Sequence, residues 1–411
     1  MVKTFGLLGE KLGHSYSPLI HSYLGEYKYP LYEISSGSLD KFMLDKSFDG
    51  INVTIPYKQA VIPYCSSLSY EAQTIGCVNT IIKKKNGSLH GYNTDHHGFT
   101  EMLKKGNIDP SGKRALVLGD GGSARTVKAV LDGLKASDII TISRRGENHY
   151  DNIDRHYNAE IIINTTPVGM YPDNGASPLS SINLKDFTKL TGLADLIYNP
   201  MRTKLLLEAE KLGIPCINGL TMLVAQAEMA SRLFMDEHAR PDLVTKITDE
   251  IYKKMKNIAL IGMPGCGKST VGKSLAEKTR RLFSDIDAQV EEVAGKNIPD
   301  IFAEKGEEAF RQLETRVLIE ESKKNNMVIA TGGGIVTRPE NLDLLRQNSL
   351  IVYLKRDLSD LNIIGRPISQ RTGVDTLAKR RLPLYEAWSD LTISVEADPD
   401  QTAVKILEEL Q

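Results

Sequence analysis

Short apolar runs alternate with polar, helix-patterned stretches along most of the chain. "FGLLG" at 5–9 and "GINVTIP" at 50–56 read as buried strands. In "VNTIIKKKNGSLHGYN" two β-rich segments flank Asn86-Gly87, a dipeptide suited to a tight hairpin turn because both positions tolerate positive φ. "KRALVLGDGGSARTVKAVL" then reads as strand, glycine turn and helix, and "IITIS" supplies the next strand, completing a βαβ unit. "EIIINTT" and "LADLIYN" continue the alternation and predict a doubly wound parallel sheet. From Ala225 the pattern becomes helical with charged faces, until "KNIALIGMPGCGKST" restarts the order strand, loop, helix. The restart predicts a boundary at Lys254–Lys256 without a long Gly/Ser linker, and no internal repeat is visible.

A chain of 411 residues exceeds one ordinary domain, and 41% hydrophobic with 25% charged residues is a globular composition able to bury a core in each part. Lys plus Arg (51) nearly cancels Asp plus Glu (52), which removes the electrostatic case for a nucleic-acid partner and leaves small-molecule substrates as the expectation. The cysteines at 65, 77, 216 and 266 form no C-x-x-C pair, so neither a disulfide scaffold nor a zinc site is indicated. His14, His21, His96 and His97 form no ligand spacing with carboxylates or cysteines. No stretch approaches 18 apolar residues, and the N-terminal apolar run is too short for a signal peptide; the reading is a soluble, cytoplasmic protein with no membrane partner.

"GMPGCGKST" at 262–270 matches the phosphate-cradling pattern G-x-x-x-x-G-K-[ST] directly after an apolar strand. Gly262, Gly265 and Gly267, with the small Cys266 between them, let backbone amides turn toward phosphate oxygens at a helix start, and Thr270 continues the loop into that helix. Lys268 is placed to neutralise the β- and γ-phosphates and Ser269 to ligate Mg2+. Asp285 and Asp287, two apart, share a side if the segment is extended at a strand end, where one carboxylate could serve the metal and the other accept a hydroxyl proton. "AFRQLE" with Arg311 and Glu314, "IATGGG" with Gly333, "GRP" with Arg366 and "RLPLY" with Arg381 follow in order.

On these motifs the C-terminal part, about 155 residues, resembles shikimate kinase. The resemblance implies that Asp287, Arg311, Gly333 and Arg381 bind shikimate, that Asp285 is the magnesium-associated carboxylate, and that Arg366 is a lid arginine near the transferring phosphate. The chemistry is coherent, since guanidiniums suit a carboxylate bidentately and a sugar-like hydroxyl needs a carboxylate acceptor. The chain departs from the family where "IS" follows "RP" and where Arg380 stands beside Arg381.

In the first half, "GDGGSA" at 119–124 satisfies G-x-G-x-x-[GA] between strand and helix, with Gly119, Gly121 and Gly122 as the turn. The second strand ends in Ser143, Arg144 and Arg145 rather than in an acidic residue, which suits a 2′-phosphate and favours NADP over NAD. "GHSYSP" with Ser15 and Ser17, "NVTIPYK" with Thr54 and Lys58, "VNT" with Asn79, "NTD" with Asp95, and "NGLTMLVAQA" with Gly219, Met222 and Gln226 surround this unit. Together they resemble shikimate dehydrogenase from Phe5 to about Phe234. The resemblance implies a substrate carboxylate on Ser15 and Ser17, substrate hydroxyls on Thr54, Asn79, Asp95 and Gln226, and Lys58 with Asp95 as the catalytic pair. Proton delivery and electrostatic stabilisation both fit Lys58. It further implies Tyr198 near the substrate and Asn164, Gly219 and Met222 near the cofactor; Asp120 stands where the family has a small residue.

The expectation is therefore an α/β chain: an N-terminal substrate domain over 1–97, completed by helices at about 221–252, an NADP-binding Rossmann domain over 98–220, and a P-loop domain of nucleoside-monophosphate-kinase type over 256–411. The implied cofactors are NADP, ATP and Mg2+, and the implied substrates 3-dehydroshikimate and shikimate, on the way to chorismate and the aromatic amino acids.

Overall fold

The computed structural model describes residues 3–13, 15–361 and 373–410. The chain forms two compact units, Met1–Asn199 with Glu208–Tyr252, and Pro200–Leu207 with Lys253–Gln411.

The first unit holds two sheets. The N-terminal one has six strands in the order β2-β1-β3-β5-β6-β4, with β1 (Leu7–Gly9), β2 (Leu31–Glu33), β3 (Gly50–Val53), β4 (Ser67–Leu68), β5 (Thr80–Lys83) and β6 (Leu89–Tyr92). It is mixed: β1 runs parallel to β2 and β3, while β3, β5 and β6 pair antiparallel. The β5–β6 hairpin turns through Gly87 at φ 80°, the left-handed conformation that Asn-Gly anticipates. Its core gathers Leu8, Ile51, Val53, Ile81 and Leu89 from the short strands, with Val78 from the segment leading into β5.

The second sheet of this unit has five parallel strands in the order β11-β10-β9-β7-β8, with β7 (Arg114–Leu118), β8 (Asp138–Ile142), β9 (Ile161–Asn164), β10 (Gly192–Asp195) and β11 (Cys216–Asn218). Ala115 to Leu118 are fully buried, as an apolar run covered on both faces must be. From β7 the chain adds β8 on one side and β9 on the other, so the strand order reverses at the carboxyl end of β7, beside Gly119.

In the second unit, β12 (Asn257–Ile261), β13 (Leu282–Asp285), β14 (Met327–Ala330), β15 (Ser349–Lys355) and β16 (Leu391–Ser394) form a parallel sheet in the order β13-β14-β12-β15-β16. The phosphate-type loop leaves the central strand β12 and enters the Lys268–Thr279 helix. Asn297 caps the long Ile298–Lys323 helix by accepting from Asp300 N, and Gly306, at φ 78°, kinks it. All three sheets thus agree with the α/β reading, while the antiparallel hairpin confines the parallel doubly wound arrangement to residues after Tyr92.

Candidate active sites

The first unit contains a cleft of about 700 Å³. It is lined by Ser15, Ser17, Thr54, Lys58, Asn79, Asp95, Tyr198, Gly219, Met222 and Gln226, all singled out by sequence, and by Asn52, Ser123 and Met170, which were not. At its centre Lys58 Nζ donates to Asp95 Oδ2 at 2.6 Å, both side chains partly buried. Burial alone would depress the Lys58 ammonium, but the Asp95 charge and hydrogen bond outweigh it and hold the pKa above the ordinary lysine value. Asp95 lies in the first turn of the Thr94–Lys105 helix, where the exposed amides favour a carboxylate, and Asn93 caps that helix by accepting from His96 N at 3.1 Å.

A buried amide network fixes the neighbouring wall. Thr94 N donates to Asn79 Oδ1 at 2.7 Å, Asn79 Nδ2 to Thr94 Oγ1 at 3.0 Å, and Thr94 Oγ1 to Gln226 Oε1 at 3.4 Å. Thr94 is the hub that joins two expected substrate contacts, and its place in "NTD" was the available signal. At the mouth, Ser17 N donates to Ser15 Oγ at 3.2 Å as the chain enters the Ser17–Leu24 helix. Gly219 is required by space rather than by φ: a Cβ there would lie 2.0 Å from Leu196 O.

Gly119, Gly121, Gly122, Ser143, Arg144 and Arg145 do not line this cleft; they gather at the strand-order reversal. Gly119 N donates to Ile142 O at 2.8 Å, which ties the glycine turn to the end of β8, immediately before Ser143. Gly119 has φ 102°, and added Cβ atoms at Gly121 and Gly122 would meet nothing within 4 Å, leaving the start of the Gly122–Gly133 helix open to a ligand. Arg144, Arg145 and Asp120 are exposed, and Ser143 is buried. This cradle with two exposed guanidiniums fits a phosphorylated dinucleotide. Asn164 is fully buried and its amide is committed elsewhere: Nδ2 donates to Asp195 Oδ1 at 3.0 Å, and Oδ1 accepts from Thr166 N at 3.0 Å. The Thr165–Thr166 turn that follows it packs beside the cradle, where Thr165 Oγ1 would lie 2.8 Å from a Cβ at Gly119.

In the second unit Gly262, Gly265 and Gly267 all have positive φ, 148°, 84° and 102°. Lys268, 7% exposed, donates from Nζ to Gly262 O at 2.9 Å and to Met263 O at 3.0 Å, folding back over the loop it would otherwise span to a nucleotide. Cys266 is fully buried, with Sγ 3.0 Å from where a Cβ at Gly262 would lie; Thr270 follows Ser269 in the first turn of the Lys268–Thr279 helix. Ser269 Oγ donates to Asp285 Oδ2 at 2.5 Å, bringing the two expected magnesium-associated oxygens together. These residues fit ATP with Mg2+.

Asp285 and Asp287 do not share an extended segment. Asp285 ends β13 and caps the Ile286–Ala294 helix, its Oδ1 accepting from Asp287 N at 3.0 Å and Ala288 N at 3.3 Å, so the chain turns helical between the two carboxylates. They therefore face different surroundings: Asp285 turns to Ser269, whereas a Cβ at Gly332 would lie 2.6 Å from Asp287 Oδ1. Around that glycine run stand Arg311, Arg381 and Glu314. Arg311 Nη1 donates to Glu314 Oε2 at 2.7 Å and Arg381 Nη1 to Gly333 O at 3.2 Å, with the Tyr385 hydroxyl on the same carbonyl. Burial raises the Glu314 carboxyl, against the Arg311 charge and with that of Asp287; burial also lowers Arg381. Glu314 Oε1 and Arg311 Nε have no hydrogen-bond partner among the described residues, an unmet polar demand at the centre of the cluster. Arg380 is exposed, so the pair of adjacent arginines divides into one buried beside the glycine run and one surface charge. Arg366 lies outside the described residues.

Residues 7–81 match the family model of the shikimate dehydrogenase substrate binding domain, and residues 264–411 that of shikimate kinase. The chain is 36% identical over 281 residues to a shikimate dehydrogenase (NADP(+)) of Syntrophomonas wolfei, covering 61% of this chain and 95% of that one. It is 36% identical over 282 residues to that of Clostridium perfringens, covering 62% and 99%. The chain belongs to the shikimate dehydrogenase family. Its first unit also resembles solved structures: the chorismate mutase/shikimate 5-dehydrogenase fusion protein from Clostridium acetobutylicum, with TM-score 0.57, 36% identity and coverage of 62% and 98%, and shikimate 5-dehydrogenase from Thermus thermophilus in complex with NADP(H) and shikimate, with TM-score 0.54, 30% identity and coverage of 61% and 99%. These relatives cover about three fifths of the chain, and the shikimate kinase model covers residues 264–411. No helix among the described residues is long and apolar enough to cross a membrane.

Proposed function

We propose that this chain carries out two consecutive reactions, NADPH-dependent reduction of 3-dehydroshikimate to shikimate in its first unit and MgATP-dependent phosphorylation of shikimate to shikimate 3-phosphate in its second. The 2.6 Å pair of Lys58 and Asp95 inside a cleft lined by hydroxyls and amides carries the first assignment. The buried Arg311, Glu314 and Arg381, with the half-buried Asp287 beside them, behind a phosphate loop carry the second.

NADPH, when bound, supplies the hydride to the ketone carbon. The developing alkoxide needs a positive charge and a proton, and Lys58 offers both because Asp95 keeps it an ammonium. Asn79 and Gln226, locked through Thr94, and Thr54 meet the ring hydroxyls; Ser15 and Ser17 at the helix start meet the carboxylate. Tyr198, whose hydroxyl is raised by burial, stays a neutral hydrogen-bonding group, and Gly219 and Met222 shape the wall on the nicotinamide side. Arg144 and Arg145 take the 2′-phosphate.

MgATP, when bound, supplies the phosphoryl group. Asp287 then accepts the proton of the attacking shikimate hydroxyl, and Arg311 and Arg381 hold the shikimate carboxylate. Ser269 and Asp285 hold the metal, Lys268 exchanges its loop carbonyls for phosphate oxygens, and Arg366 serves the transferring group. On this reading the protein works in the cytoplasm, where NADPH and MgATP are both available.

The test is to incubate the chain with 3-dehydroshikimate, NADPH and ATP with Mg2+, following NADPH absorbance and identifying products by mass spectrometry. Shikimate 3-phosphate in step with NADPH loss is expected. Unphosphorylated shikimate alone would overturn the second assignment, and unchanged NADPH the first.

A further inference from the structure

The turn that carries Arg144 and Arg145 leaves an edge strand, β8, and its arginines are exposed. Nothing in such a turn by itself sets where two long side chains point. Here it is closed from behind. Ser143 N donates to Asn148 O at 3.1 Å, His149 N to Asn152 Oδ1 at 2.8 Å, and Asn152 Nδ2 to Glu147 O at 3.0 Å. A Cβ at Gly146 would lie 2.7 Å from Ser143 Oγ, so the turn is also tightly wound. From it a 3-10 segment, Tyr150–His156, leads to the starts of the two central strands, where the buried His156 meets Arg114.

His156 closes the circuit. Its Nε2 lies 2.9 Å from Asn148 Oδ1 and its Nδ1 3.2 Å from Arg114 Nη2, while Arg114 Nε lies 3.4 Å from Asp138 Oδ2. A guanidinium can only donate, so Nδ1 must accept and Nε2 must carry the proton that Asn148 receives. One tautomer therefore links the root of β7 and β8 to the Asn148 side chain at the end of the arginine turn. Burial and the Arg114 charge lower the His156 pKa, as an imidazole in this neutral role requires.

We propose that His156 is a positioning residue for cofactor choice, acting through Asn148 to hold the Ser143–His149 turn in the shape that presents Arg144 and Arg145 to the 2′-phosphate of NADPH. The proposal rests on the reading that these two arginines bind that phosphate. His156 itself does not touch the cofactor; it removes the conformational freedom that the arginines would otherwise lose on binding.

The experiment measures equilibrium binding of NADPH, NADH and adenosine 2′,5′-bisphosphate to the full chain carrying His156→Ala, Asn148→Ala, His156→Gln, Arg144→Ala or Arg145→Ala. His156→Ala and Asn148→Ala should each weaken NADPH and the bisphosphate by about five- to tenfold, the loss of one or two part-buried hydrogen bonds, with NADH unchanged. His156→Gln, whose amide can both accept from Arg114 and donate to Asn148, should restore most of the NADPH affinity. Wild-type NADPH affinity in both alanine variants, or an equal loss of NADPH and NADH, would overturn the proposal. If His156→Ala does not fold by circular dichroism, Asn148→Ala decides alone. Should the arginine variants keep the wild-type ratio of NADPH to NADH affinity, the 2′-phosphate reading fails and takes this one with it; loss of that ratio in the arginine variants but not in the alanine variants refutes the role of His156 alone.

Discussion

Arg311 and Glu314, one helical turn apart, form an ion pair of 2.7 Å with both side chains removed from solvent. Spacing of i and i+3 puts them on the same helix face, and the glycine run at 332–334 is what lets that face come so close, since a Cβ at Gly334 would lie 2.1 Å from Arg311 Nη2. A pair of this kind is costly to break from one side. Glu314→Leu should destabilise the second unit by about 3 kcal/mol, because it leaves a buried guanidinium with only its 3.4 Å contact to the more exposed Glu307, and Arg311→Met with Glu314→Leu should recover much of that loss. Urea unfolding of the single and double variants checks the stability, and the double variant should phosphorylate no shikimate.

Lys58 has a folded-state pKa above its unfolded one, so the stabilisation from its pair with Asp95 is complete below the ordinary lysine value of 10.5 and is lost as pH rises through the higher folded value. Reduction of 3-dehydroshikimate should therefore show no loss from Lys58 deprotonation at neutral or mildly alkaline pH. Asp95→Asn leaves burial without its counterweight, and the alkaline limb of the kcat profile should move to lower pH. A limb that stays in place would mean that Asp95 does not set the charge of Lys58.

Asp120 is exposed beside the glycine turn, and both it and Arg144 act electrostatically on the Tyr150 hydroxyl, with opposite signs. A carboxylate there opposes the phosphates of the cofactor. Asp120→Ser should tighten NADPH binding by about two- to fivefold at low salt, and the gain should shrink at high ionic strength, as expected for exposed charges. Titrations at two salt concentrations distinguish this from a change of turn conformation, which salt would not erase.

Two glycines are demanded by close approach rather than by backbone conformation. A Cβ at Gly219 would meet Leu196 O at 2.0 Å, and one at Gly333 would meet Pro264 Cγ at 2.6 Å and Pro264 N at 2.8 Å. Gly219→Ala should lower NADPH oxidation while sparing phosphorylation of added shikimate, and Gly333→Ala should do the reverse. Each variant's two activities, measured on one preparation, check this; a loss of both in either variant would contradict independent sites.

The motifs of both sites were legible because phosphate loops, glycine turns and capped helix starts are local: their spacing fixes where amides and short side chains point. The unbroken apolar runs "ALVL" and "IALI" likewise pointed to strands buried on both faces. Sequence reasoning went astray where a neighbour only the fold supplies made the decision. Asp285 and Asp287 part company because Asp285 accepts the next helix's amides. Glu314 entered no expected site, for its worth depends on Arg311 and the distant glycine run meeting it in the dark of the core. By itself, then, the sequence determined the α/β class, the two phosphate-binding turns and the cast of polar residues around them. The tertiary structure decided which of those residues share a site, because burial and long-range hydrogen bonds, unlike turn and strand propensities, depend on groups brought together from far along the chain.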